Sequence, residues 1–235
     1  MKHRAIVFYP VSIALLMILE LKADYDRMLP RNQAGVRFTF AHVVLALFLF
    51  DMHGKLGRVE LERQLALGRG SLRTFVMRLK KNLGLVVSSS TRAHVLSERG
   101  KTVVKKIKEQ LSVIGDIPII FDELKFAKYN ALARLCASSL VPGREIEPMR
   151  LVDVARANGG KGLLSLIVQA GRALKVLGVH MDLKKQYSAE WSRLNELFTL
   201  VEGDLLLIAW ADTERDAKIA VIAAAVASLE MMTRE

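Results

Sequence analysis

LGRGSLRTFVMRLKKNLGLV, residues 67–86, sets a glycine-bracketed turn ahead of a helical period carrying five basic side chains. Advancing roughly 100° per residue, Leu72, Phe75, Val76, Leu79 and Leu83 fall on one side. Arg73, Thr74, Met77, Arg78 and Lys81 fall on the other. Ser71 is placed to act as N-cap, its hydroxyl accepting a backbone N–H of the next turn. Gly84 stands where helices close through a left-handed residue, so a helix is expected over about 71–83. A basic amphipathic helix is more often a solvated face than a reading head, and the flanking sequence has to decide.

Upstream, FTFAHVVLALFLFDMHG, residues 38–54, holds an apolar run from Phe40 to Phe50 that stops at Gly54. Its length favours a buried helix over a strand. RVELERQLAL, residues 58–67, is a short amphipathic helix with Val59, Leu61 and Leu65 as expected inward positions. Downstream, LVVSSS (85–90) and HVLSE (94–98) can pair as two short strands around a tip holding Thr91 and Arg92. A second helical period follows, with Val103, Val104, Ile107, Leu111 and Ile114 inward.

Three helices, a hairpin and a closing helix, in that order, are the parts of a winged helix-turn-helix. Arg can contact guanine edges in a bidentate manner, Thr can meet a thymine methyl, and Lys and Ser suit phosphates. A helix N-terminus offers one more phosphate site. The expected DNA contacts are Arg69, Ser71, Arg73, Thr74, Met77, Arg78 and Lys81 on the recognition helix and its turn. Arg92 joins them on the wing, about 88–94, as a minor-groove or phosphate contact.

The charge is placed accordingly. Of the formal net charge of +11 over 235 residues, residues 37–111 supply +10, residues 1–36 supply +2 and residues 112–235 supply −1. A basic segment joined to a neutral one is the pattern of a polyanion-binding module attached to something else. The single cysteine, Cys136, excludes an intramolecular disulfide and reads as a small buried hydrophobe in a reducing compartment.

LxxQLALGRGSLRTFVMRLKKNLGLVxSSxTRAHVLSERGK resembles the G-x-G-S-x-R-T, L-x-x-x-G-L-V and L-T-x-x-G-K pattern of archaeal winged-helix regulators. The likeness is greatest to a two-domain family whose C-terminal domain is similar to the GAD domain of some aspartyl-tRNA synthetases and amidotransferase subunits. Gly70, Ser71, Arg73 and Thr74 match the turn and helix start, and Gly84 and Gly100 the flanking glycines. Ser97 stands where the family often has Thr. GGKGLLSLIVQAGR and EGDLLLIAWADTERDA resemble later segments of the same family. The likeness covers about residues 36–235, without the extension before Met28. It implies a transcription regulator and no particular ligand.

MKHRAIVFYPVSIALLMILEL, residues 1–21, has the basic-then-apolar order of a signal peptide, but Pro10 interrupts it and no small-residue cleavage site follows. It also falls short of the roughly 20 apolar residues of a membrane span. An extra helix packing on the body, a weak membrane anchor and an upstream extension are the open readings. The expectation is a cytoplasmic protein without stable membrane insertion, residues 1–35 forming a peripheral helix or extension. Met17 and Met28 remain internal alternatives to Met1 as the start.

After Ile114, GDIPIIFDE reads as a linker. Beyond it, elements alternate: KYNALARLCA as strand, EPMRLVDVARAN as a helix with Met149, Val152 and Ala155 or Arg156 along it, and GLLSLIVQAGRALKVLGV as a hairpin around Gln169 to Arg172. SAEWSRLNELFTL has helical spacing at Trp191, Leu194, Leu197 and Phe198. GDLLLIAWA reads as a buried strand, and Asp212 or Thr213 as the cap of a long Ala/Val helix ending near Met232. NGGKG, residues 158–162, invites a phosphate-loop reading but lacks the Walker spacing, and a turn explains it better. His180 and Asp182 have no third ligand at metal spacing. Asp204 and Asp212 read as a strand-leading turn and a helix cap.

The fold class is therefore α+β: a winged helix-turn-helix over 36–114 followed by a small α+β domain over 115–235, for dimerisation or effector sensing. The expected function is a dimeric regulator of duplex DNA, with no catalytic residues, metal or cofactor and with a small-molecule effector open. An RNA-binding or translation-associated protein is the alternative. An enzyme with a winged-helix regulatory domain, as in biotin ligases, is less favoured because no adenylate loop is present.

Overall fold

A computed structural model of the chain describes residues 13–29, 38–89, 92–115, 126–140, 145–170, 173–178 and 187–233. It is α+β, with eight α-helices and two antiparallel sheets among those residues. The apolar run is helix α2, Phe40–His53, with ten of its fourteen residues buried. Thr39 and His42 form a capping box at its start, the Thr39 N–H donating to His42 Nδ1 at 3.0 Å. Gly54, at φ 72°, ends it as expected. Helix α1, Ile13–Arg27, precedes it. Far from peripheral, α1 buries Ile18, Leu21 and Tyr25 in the main core, and the Tyr25 hydroxyl donates to the Phe38 carbonyl at 2.7 Å. None of the described helices is long and apolar enough to cross a membrane.

After α2 come strand β1 (Lys55–Leu56), helix α3 (Arg58–Leu65), helix α4 (Arg69–Lys81), strands β2 (Val86–Ser88) and β3 (His94–Leu96), and helix α5 (Glu98–Gln110). The hairpin is present with Val87 opposite Val95, and β1 adds to its far side with Leu56 opposite His94, giving the order β1-β3-β2. The two-residue β1 has no sequence signature, being too short for any periodicity. Ser97 caps α5, accepting the Gly100 N–H at 3.0 Å while donating to the Gly84 carbonyl at 2.6 Å. A Cβ at Gly100 would stand 2.1 Å from the Leu85 carbonyl oxygen, so the close approach of α5 to this loop requires glycine.

The helical period expected through Ile114 ends at Gln110. Residues Leu111–Gly115 instead form strand β4, pairing with strand β5 (Tyr129–Leu135) from Leu111 opposite Leu135 to Gly115 opposite Ala131. No linker separates α5 from this strand; most of the expected linker, and the His180–Asp182 pair, lie outside the described residues. A 3-10 turn over Ala137–Ser139, helix α6 (Pro148–Ala157), the β6 (Gly162–Val168) and β7 (Leu174–Val176) hairpin, helix α7 (Ser188–Leu197), strand β8 (Leu205–Ala211) and helix α8 (Glu214–Thr233) complete the chain. The second sheet runs β4-β5-β8-β6-β7.

All seven residues of β8 are buried, as its continuity predicts, because both faces of the sheet are covered. Alternation divides them. Leu205, Leu207, Ala209 and Ala211 join the core shared with α2, α6 and α8, while Leu206, Ile208 and Trp210 join a smaller core with Leu194 and Phe198. The main core runs without a break from Ile18 of α1 to Met231 of α8, so the basic and neutral parts share one interior. On α6 the buried positions are Leu151 and Ala155, whereas Met149 is exposed; Leu197 of α7 is exposed too. Thr213 caps α8, accepting the Asp216 N–H at 3.2 Å.

Asp204 sits fully buried in the turn before β8. Its carboxylate accepts from Arg134 Nε at 2.8 Å and from the backbone N–H groups of Ala137 and Val201 at 2.9 and 3.0 Å. NGGKG is a turn: Gly159 has φ 92°, the Lys161 N–H donates to the Trp210 carbonyl at 2.7 Å, and Lys161 Nζ lies 3.1 Å from Asp212. Cys136 is half-buried, and burial pushes its thiol pKa up.

Candidate nucleic-acid interface

The turn between α3 and α4 is Ala66-Leu67-Gly68, with Ala66 in the left-handed region at φ 55° and ψ 26°. Helix α4 starts three residues earlier than Ser71 as N-cap predicts. Gly68 is the N-cap and no side chain bonds there, so Ser71 lies half-buried within the first turn. At the other end the helix closes at Lys81, and Gly84 follows at φ 63° with the Leu85 N–H donating to the Leu79 carbonyl at 2.8 Å.

Leu72, Phe75, Val76, Leu79 and Leu83 are all buried, so the apolar face is the one the spacing predicts. On the outer side Arg69, Arg73, Met77 and Lys81 are exposed; the last three, spaced four apart, make one stripe along the helix. Thr74 is half-buried, and its hydroxyl donates back to the Gly70 carbonyl at 3.3 Å.

Arg78 departs from the expected outer face. It is half-buried, with its guanidinium carbon 5.1 Å from the centroid of the Phe38 ring and Nη1 shielded from solvent. Phe38 lies before α2 and carries no signal linking it to α4 by spacing. Lys80 also has a structural tie, donating to Ser88 Oγ of β2 at 2.9 Å and joining the helix to the hairpin.

Arg92 is exposed on the hairpin with φ 58°, a conformation that suits a tight tip. Beside it a cleft of about 460 Å³ is lined by Gly57, Arg58, Val59, Ser88, Ala93 and His94 as well as Arg92. Val59, read from the sequence as inward, is 82% exposed here. Its position about 200° around the helix from Leu61 is the signal that separates it from the inward pair Leu61 and Leu65. His94 is buried, and burial together with the nearby Arg58 and Lys80 cations holds its pKa below the ordinary histidine range. A neutral ring and an exposed Arg pair thus edge this cleft.

Arg58, Arg69, Arg73, Lys81 and Arg92 are consequently exposed cations on α3, α4 and the hairpin. Arrays of Arg and Lys suit backbone phosphates, and a helix stripe that stands clear of its own core can enter a groove. Among the described residues, no group of three or more His, Cys, Asp or Glu side chains could hold a metal ion.

No protein-family model matches this chain, and no curated protein matches it. Among solved structures, the chain is similar to hypothetical protein PH0730 from Pyrococcus horikoshii OT3, with a TM-score of 0.64 and 23% identity. The match covers 83% of this chain and 94% of that one. At that identity the likeness concerns the fold alone.

Proposed function

We propose that this chain is a DNA-binding transcription regulator of winged helix-turn-helix form, as the archaeal resemblance implies. Helix α4 is the recognition helix, the β2–β3 hairpin is the wing, and the larger sheet with α6–α8 serves effector sensing or assembly. The observation that carries the reading is the exposed stripe Arg73, Met77 and Lys81 on a helix whose opposite face is wholly buried. A tight turn before it and a hairpin with exposed Arg92 after it support the same geometry.

A homodimer remains part of the proposal because helix-turn-helix proteins meet symmetric operators in pairs. The apolar last helix no longer argues for it, since thirteen residues of α8 are buried within the chain itself. Fluorescence anisotropy with duplex DNA, duplex RNA and single strands across a salt series tests the reading. Duplex DNA should bind tightest, with affinity falling as salt rises. Tighter RNA binding would make the protein an RNA-binding module, and no duplex binding would end the regulator reading.

A further inference from the structure

A second cleft, of about 500 Å³, opens where the basic part of the chain meets the larger sheet. Arg63 and Gln64 of α3 line one side, Lys128 and Tyr129 at the start of β5 another, and Arg215 and Lys218 of α8 a third. That volume falls among small-molecule sites, which span about 300–1,000 Å³. Four basic side chains face two acidic ones here, and three of the four, Lys128, Arg215 and Lys218, come from the half of the chain that is slightly acidic as a whole.

The ion pairs do not use all of that charge. Lys218 pairs with Glu214, Arg63 with Glu60 at 2.7 Å, and Asp212 with Lys161 at 3.1 Å. Lys128 and Arg215 have no carboxylate partner among the described residues. Lys128 Nζ instead lies 4.9 Å from the centroid of the Tyr129 ring. Arg215 Nη1 donates to the Arg63 carbonyl at 3.3 Å, and its Nε is buried without a hydrogen-bond partner. That carbonyl belongs to the last turn of α3, where helix carbonyls have no partner within the helix. It lies three residues before Ala66, whose left-handed turn sets the direction of α4.

We propose that this cleft binds a phosphate-bearing small molecule, and that its occupancy draws the Arg215 guanidinium away from the end of α3. Two unpaired cations match a compact dianion, and the guanidinium fork suits phosphate oxygens. The volume leaves room beside a phosphate for an organic body, which the Tyr129 ring and the Gln64 amide would touch. Arg215 Nε is buried where it stands, so a phosphate that takes the Nε–Nη2 edge of the guanidinium draws the group out of that place and away from the Arg63 carbonyl. Binding therefore loosens the support beneath the α3–α4 turn, and this coupling rests on the DNA-binding reading.

The test uses the full chain and the probes inorganic phosphate, ribose 5-phosphate and adenosine 5′-monophosphate, with ribose and adenosine as neutral controls at matched ionic strength. The phosphates should bind at millimolar concentration or below while the controls do not. Lys128→Ala and Arg215→Gln should each weaken binding about tenfold or more. Lys128 is a surface side chain at the cleft, so its variant is informative even if Arg215→Gln folds poorly. Binding of ribose as good as that of ribose 5-phosphate, phosphate binding unchanged in Lys128→Ala, or no phosphate binding at all overturns the site. Duplex anisotropy run in parallel separates the two claims. A fall in duplex affinity of about fivefold or more in saturating ribose 5-phosphate supports the coupling, and an unchanged affinity overturns it. Absence of duplex binding overturns the regulator reading and the coupling together, while the anion titration still decides the cleft.

Discussion

The guanidinium of Arg78 lies over the ring of Phe38, and the Phe38 ring in turn meets Phe75 edge-on with centroids 5.1 Å apart. This cation therefore braces the underside of α4, while Arg73, five residues earlier, stays exposed. A cation over an aromatic face contributes about 0.5–2 kcal/mol. Arg78→Ala should lower the unfolding free energy by about 1–2 kcal/mol, read as a lower urea midpoint at unchanged slope. Arg73→Ala should stay within about 0.5 kcal/mol in the same assay yet cost about 1–3 kcal/mol in duplex binding. Equal stability losses in the two variants would refute this division of labour.

Two glycines in the basic segment should respond in opposite ways. Gly100→Ala drives a Cβ into the Leu85 carbonyl oxygen, a backbone atom that cannot swing aside, and should cost about 3 kcal/mol or more. Gly70, in the first turn of α4, has nothing within 4 Å of an added Cβ. Gly70→Ala should raise stability by about 0.5–1 kcal/mol through helix propensity. If Gly70 also permits a phosphate to approach the backbone, the same variant binds duplex more weakly despite its greater stability. Thermal melts paired with anisotropy read both effects.

His42 links stability to pH. Burial pushes its pKa from 6.5 down to about 4, with the Asp216 carboxylate opposing in part. Between those values the unfolded chain takes up a proton that the folded chain refuses. Stability is therefore highest above the unfolded pKa and is lost as pH falls toward 4, by up to about 3 kcal/mol. The geometry agrees, since Nδ1 can accept the Thr39 N–H only while unprotonated. Urea midpoints followed from neutral pH down to about 4.5 should converge for wild type and His42→Gln at the acid end and differ in slope between. A variant with the wild-type slope would remove His42 as the cause.

Asp204 is the charge on which the junction of the two interior strands β5 and β8 depends. Fully buried, it holds Arg134 and two backbone N–H groups at once. Asp204→Ala leaves Arg134 uncompensated and should cost about 3–5 kcal/mol. The double variant Asp204→Ala with Arg134→Leu should recover part of that loss in chemical denaturation, because removing both members spares the unpaired charge. No recovery would mean that the backbone donors, rather than Arg134, dominate.

Some of this protein was legible from residue order because the relevant forces are local. The apolar run of α2, the buried face of α4, the left-handed Gly84, the Val86–Leu96 hairpin and the continuous strand 205–211 all follow from periodicity and turn chemistry. The Leu61–Leu65 spacing even carried the exposure of Val59, although reading every apolar residue of α3 as inward obscured it. What tertiary structure alone decided are the pairings between distant segments. Leu111–Gly115 continues a helical pattern, yet its backbone partners on β5, from Leu135 opposite Leu111 to Ala131 opposite Gly115, stand well along the chain and make it a strand. Two-residue β1 exists only because β3 lies alongside it. Arg78 counts as an outer-face residue by angle, and a ring forty residues earlier turns it inward. Periodicity records which side of an element is apolar; it holds no record of which other element, or which ring, will be waiting there.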